Sequence, residues 1–227
     1  MNMKHASIFA GTVAGLALAG TATAGMNGLT YDFITADQGD YTVRVYAELD
    51  SDNRVDAVFG NSVYNLRMDY LDGASAYQNS LGGPTSTSVN SAFFALAPSL
   101  EWDSYVTIGA LYSDGTPFAN NALQDIGITW DDWDPDGGSL FADNGTWFIT
   151  PVDPQGEEQN GRVLIAQFTT FQGDGPIDIH FEAGFQGKDG SGDTWQEGHY
   201  VDISIPAPGA VALLGLAGLA GRRRRRA

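Results

Sequence analysis

The chain contains no cysteine, so no disulfide staples it and no thiolate can ligate a metal. Histidine is nearly as scarce: beyond His5, only His180 and His199 occur. With so few imidazoles and no G-x-S-x-G elbow, nucleophilic catalysis finds little material. Positive charge is confined largely to the ends, at Lys4 and Arg222 to Arg226. Between residues 25 and 205 only Arg44, Arg54, Arg67, Arg162 and Lys188 face 28 acidic residues, a formal charge of −23. A field of that sign repels phosphate backbones, which excludes nucleic acid as a partner. It suits a solvated acidic surface in an exterior or saline setting, with loose association of divalent cations. Neither apolar stretch of the chain reaches the roughly 20 residues of a durable transmembrane helix.

What is present falls into three parts. Residues 1–24 read as a secretory signal peptide: a basic start at Lys4 and His5, an apolar run from Ile8 to Gly20, and the small-x-small pattern Ala22-Thr23-Ala24. Residues 25–205 alternate with period two between Gly, Asp, Asn and Pro clusters. In Tyr41–Leu49 the residues Val43, Val45, Ala47 and Leu49 point one way, and Thr42, Arg44, Tyr46 and Glu48 point toward water. Comparable strands are expected at Leu29–Thr35, Val55–Gly60, Ser62–Tyr70, Ser104–Tyr112, Asp125–Trp130, Thr146–Thr150, Arg162–Phe171, Pro176–Phe185 and His199–Ile205. Asp143-Asn144-Gly145 and Asn160-Gly161 signal hairpin turns. Gln78–Val89 reads as a long surface loop, and Asn90–Pro98 as a single helical turn with a capping residue and a proline stop. About ten short strands without a long 3.6-residue period predict an all-β fold, one β-sandwich or jelly-roll-like ectodomain.

Three constellations are candidates for chemistry. Asp132-Trp133-Asp134-Pro135-Asp136-Gly137 fits D-x-D-x-D-G, with Asp143 at the twelfth position, so Asp132, Asp134, Asp136 and Asp143 are candidate ligands for calcium. Its flanks read as strands, which an EF-hand would not have, and an acidic turn is the competing reading. No other cofactor is implied. Trp133 and Trp195 lie in Asp- and Gly-rich loops and are the candidates for stacking on sugar rings. Glu48, Glu101, Glu182 and Glu197 are available to a glycan-active enzyme, but no spacing pairs any two of them. Strand phase places His180 outward and His199 inward, on opposite faces, so a two-histidine metal site is not expected.

The C-terminal residues 206–227 form the third part. Pro206-Ala207-Pro208 leads into the apolar run Gly209–Gly221, followed by Arg222, Arg223, Arg224, Arg225 and Arg226. This tail resembles the PEP-CTERM sorting signal of exopolysaccharide-producing Gram-negative bacteria, in a variant where Ala207 stands in place of glutamate. The body resembles β-rich secreted proteins that carry such tails, in segments such as Val55–Gly60 and Val163–Phe168. The resemblance implies an exosortase-type membrane transpeptidase as partner. It further implies a transient tether at the inner membrane, then tail removal and release to the cell surface or extracellular matrix. Thirteen residues span about 20 Å as a short transmembrane helix, against a hydrocarbon core of roughly 30 Å. The arginines would hold the C-terminus in the cytoplasm and leave the body outside. The expected role is therefore a non-enzymatic, surface-displayed or matrix-associated sandwich, with extracellular polysaccharide as a partner. The alternatives are a calcium-assisted adhesion or carbohydrate-binding module and a secreted glycan-active enzyme.

Overall fold

A computed structural model of the chain describes residues 25–35, 41–71, 73–170 and 177–205. The signal-peptide expectation at 1–24 and the sorting tail at 206–227, with its motif residues and apolar helix, lie outside the described residues. Within them the protein is all-β. Antiparallel strands dominate, helix is limited to short 3-10 turns, and no helix is long and apolar enough to cross a membrane.

Eleven strands are described: β1 (Met26–Thr35), β2 (Tyr41–Leu49), β3 (Arg54–Gly60), β4 (Leu66–Tyr70), β5 (Tyr105–Val106) and β6 (Gln124–Ile126), followed by β7 (Leu140–Ala142), β8 (Gly145–Phe148), β9 (Arg162–Thr170), β10 (Ile177–Lys188) and β11 (Thr194–Ile205). The first sheet runs β1-β2-β9-β5. The second is organised on β10, which pairs along its whole length with β11 and on its other edge with both β3 and β4. Because β3 and β4 both run antiparallel to β10, they are one line of strand interrupted at residues 61–65. β8 and β7 extend that line on the far side in the same way, and β6 closes the edge beside β8.

This geometry corrects the expected hairpin at Asp143-Asn144-Gly145. β7 and β8 point the same way, so those residues are a break in a composite strand and not a reversal. β7 itself had no alternation long enough to be seen. The expected turn at Asn160-Gly161 does form, with both residues at positive φ and Gln159 N–H donating to the Arg162 carbonyl at 2.9 Å. Of the expected strand Ser104–Tyr112 only Tyr105–Val106 pairs, and Ser62–Tyr70 begins at Leu66. Asn90 does cap its turn, accepting from Ala92 N–H at 3.0 Å, but the turn is 3-10.

The two sheets pack face to face. Val43, Val45 and Ala47 of β2 and Val163 and Phe168 of β9 are buried in one core with Phe181, Ala183 and Phe185 of β10 and Val201 and Ile203 of β11. Phe168 meets Phe181 across the sheets at 6.0 Å between centroids, and Trp147 stacks on Phe181 at 6.5 Å. Fully burying a side chain of this kind contributes about 1.5–3 kcal/mol. The outer face of the first sheet is not left to water, contrary to the simple alternation of β2. Thr42 is fully buried and shares a 2.7 Å hydrogen bond with Thr169. The long excursion between β4 and β6 lies there, with Val89, Leu100, Tyr105 and Tyr112 forming a second small core. The expected surface loop Gln78–Val89 is part of this cover, and Thr85, Ser86 and Val89 are buried.

Gly60 ends β3 opposite Gly145, where both composite strands break. A Cβ at position 60 would meet the Ala142 carbonyl oxygen and stand 2.7 Å from Leu66 Cβ. Gly60→Ala is therefore expected to cost about 1–3 kcal/mol by overpacking, read as a lowered midpoint in urea unfolding.

Candidate functional site

The outer face of the second sheet is divided by chemistry. Register aligns Gln196, Gln186, Ala57 and Phe148 in one row and Gly198, Gly184, Phe59 and Thr146 in the next. The following rows carry Tyr200, Glu182, Arg67 and Phe141, then Asp202, His180 and Asp69. One half of the face is thus aromatic and amide without a free charge, and the other sets charged side chains among the exposed rings of Tyr200 and Phe141. The seam is the glycine pair Gly184–Gly198.

That pair makes room for two rings. Asn61 Oδ1 accepts from the N–H groups of Val63 and Tyr64 at 2.8 and 2.9 Å, folding residues 61–65 back over the sheet. A side chain at 198 would stand 2.5 Å from the Tyr64 ring, and one at 184 would stand 2.7 Å from the Phe59 ring. The two rings therefore fill the space that the glycines leave, edge to face at 5.9 Å. Beside them runs a groove of about 430 Å³ lined by Phe59, Phe148, Asn61, Thr146, Gln186 and Gln196. Gln196 Nε2 donates to Gln186 Oε1 at 2.5 Å, which orients both amides. Asp56 is the one ionisable residue in the lining, and Arg54 Nε holds it at 2.6 Å. A neutral aromatic groove on a domain of −23 is the clearest binding feature on this face. Aromatic rings offer broad apolar surface and amides both donate and accept, the combination that a sugar's C–H face and hydroxyls require.

The residues singled out from sequence lie elsewhere. Trp133 is fully buried, its ring tilted at 43° to Trp130 with centroids 5.7 Å apart and its Nε1 donating to Tyr70 Oη at 3.4 Å. Trp195 is 8% exposed and sits in the room left by the missing side chain of Gly187, its register partner. Neither ring has a free face for a sugar. Their loops are polar, but the rings were drawn inward by the core, and the stacking expectation is corrected on that ground. The acidic loop closes on its own backbone through Asp134 N–H to Trp130 O and Gly138 N–H to Asp132 O, at 2.8 and 2.9 Å. Asp132, Asp136 and Asp143 are exposed and Asp134 is half-buried. Among the described residues, no three or more His, Asp or Glu side chains gather in a way that could hold a metal ion, these four included. His180 and His199 do take opposite faces. His180 lies 2.7 Å from Asp202 on the outer face, and His199 lies 3.1 Å from Glu197 in the inward phase.

No family model, curated protein or solved structure matches this chain. The site must therefore be read from its own chemistry.

One buried acid escaped the sequence reading. Asp103 is fully buried and accepts from Asn79, Gly83 and Ser104 N–H at 2.7, 3.1 and 3.1 Å. Burial pushes its carboxyl up to about 7, against the pull of those three donors, and the nearby Asp134 adds to the rise. The folded value lies above the ordinary value near 4. Folded protein therefore holds this proton more tightly, and the contribution to stability falls as pH rises between about 4 and 7. Asp103→Asn should flatten that part of a stability-against-pH profile relative to the unaltered protein. An unchanged slope would show that the burial of Asp103 does not govern it.

Proposed function

We propose that this protein is an exported, non-enzymatic β-sandwich that is displayed at the cell surface or held in the extracellular matrix, where it binds uncharged polysaccharide. The observation that carries the binding is the neutral groove of Phe59, Phe148, Asn61, Gln186 and Gln196 on a domain otherwise dense in carboxylates. A charged polymer of either sign would be steered by the surrounding field. A neutral chain is recognised by contact alone, which suits rings and amides more than ion pairs. The jelly-roll-like arrangement within the sandwich belongs to the same reading.

Support for export and sorting comes from the terminal segments. The small-x-small site ends at Ala24, and Pro206-Ala207-Pro208 with its apolar run and arginines resembles a PEP-CTERM tail. An exosortase-type transpeptidase is the partner this tail would engage, with transient membrane contact before release. The described strands lie between the two segments, the first beginning at Met26 and the last ending at Ile205.

Two measurements test the two halves of this reading separately. Intact-mass analysis of the native protein should give termini near Gly25 and within Pro206–Gly209; a chain still carrying Arg222–Arg226 overturns processing. In affinity electrophoresis through gels containing neutral polysaccharide, Phe148→Ala is expected to weaken retardation about tenfold, equivalent to about 1.4 kcal/mol. Equal retardation of variant and unaltered protein places binding elsewhere.

A further inference from the structure

The opposite face of the sandwich holds a second, smaller cleft of about 240 Å³ on the outside of the first sheet. Its walls are Arg44 and Tyr46 of β2, Arg162 and Leu164 of β9, and Leu111 and Phe118 from the covering excursion. It gathers two of the five cations that the body possesses. In a domain with 28 acidic residues, that concentration is an anomaly which needs a physical account.

The partners of those cations differ. Arg54 is bound to Asp56, Arg67 to Asp69, and Arg162 to Asp32. Arg44 has no such partner: among the described residues no carboxylate oxygen lies within ion-pair distance of it. Its Nε donates to Gln167 Oε1 at 3.0 Å, and the guanidinium stands against the phenols of Tyr46 and Tyr112. All of these partners are neutral. A half-buried guanidinium without a counter-ion is costly, because the charge has lost water without gaining an opposite charge. Glu157, the one acid in the lining, is exposed and lies 3.7 Å from Arg54 Nη1 instead.

The remaining surroundings limit the anion. Arg162 lies over the Tyr46 ring at 4.1 Å, so one wall is a fixed planar cation. Leu111, Pro117 and Phe118 supply an apolar side, and the turn residues Gln159 and Asn160 reach the rim. A guanidinium is matched to a planar carboxylate through its fork of N–H donors. The surrounding −23 field penalises each further negative charge, which favours a monoanion over phosphate. The volume is below that of pockets for drug-sized ligands, which start near 300 Å³.

We propose that this cleft binds a single carboxylated sugar ring of the uronate class. The carboxylate lies on Arg44, the ring lies against Phe118 and Leu111, and its hydroxyls face Gln159 and Asn160. The site is separate from the neutral groove and does not depend on it. It would let one displayed domain hold a neutral chain on one face and an acidic sugar end on the other.

The test is calorimetric titration of the purified full chain with glucuronate, glucose and benzoate. The expected result is at least tenfold tighter binding of glucuronate than of glucose, with Arg44→Gln abolishing that preference while the melting temperature holds. Equal binding of glucuronate and glucose overturns the proposal, as does a preference that survives Arg44→Gln. Tighter binding of benzoate than of glucuronate overturns the sugar class. Arg44 also anchors Gln167, so Arg44→Gln can lose the fold. In that case Phe118→Ala provides the second variant, expected to weaken glucuronate about tenfold, and an unaltered affinity again counts against the site.

Discussion

The strand β10 carries the structure, because a single edge of it holds two other strands end to end. β3 and β4 meet β10 at Gly184–Lys188 and at Ile179–Glu182, and the β8 and β7 line backs them on the other side. The inward residues of β10, among them Phe181 and Phe185, form the floor of the sandwich core. Its outward residues set the chemistry of the exposed face. If β10 shifted by one residue, Phe181 would turn to water and His180 to the core, so the hydrophobic pattern locks the register.

The interruption between β3 and β4 gives the face its division of chemistry. A continuous strand would carry ordinary alternating side chains across Gly184 and Gly198. The break lets Asn61 turn the chain and return Tyr64 over the glycines beside Phe59. The result is an aromatic, uncharged patch next to a charged one within a single sheet face. The protein's acidity therefore has a definite distribution. Carboxylates crowd the loops and the Asp69–His180–Asp202 end, and the one that lines the groove of Phe59 and Phe148, Asp56, is neutralised by Arg54. The cleft at Arg44 is the converse case, a local positive site on the other face.

Polar groups inside the fold are arranged with similar economy. Gln167 binds the carbonyls of Glu101 and Asp103 at 3.0 Å each while accepting from Arg44, so one amide joins the first sheet to its covering excursion. Asp103 gathers three backbone N–H groups of the same excursion and anchors its loops from within. A segment with so little regular structure is held by side-chain acceptors, because its backbone has few ladder partners.

The local pattern of the chain was enough to define much of the sandwich. β2 occupies Tyr41–Leu49 as alternation predicts, the long strands β9, β10 and β11 fall close to their expected places, and the opposite phases of His180 and His199 follow from period two. What it did not reveal depends on residues distant in sequence. Trp133 looks exposed beside its aspartates, yet Tyr70, sixty-three positions away, receives its indole N–H. Asp143-Asn144-Gly145 has the composition of a hairpin but sits inside a composite strand, because β4 and β3 continue past it on the neighbouring line. The neutral groove has no motif: Phe59, Phe148, Gln186 and Gln196 come from four strands and share a face only through register. Sequence alone determined the all-β character, the charge and most strand phases, since these depend on composition and on neighbours two residues apart. Tertiary structure alone decided which rings are buried and which residues meet at a site, since burial and convergence arise when strands far apart in the chain pair and pack.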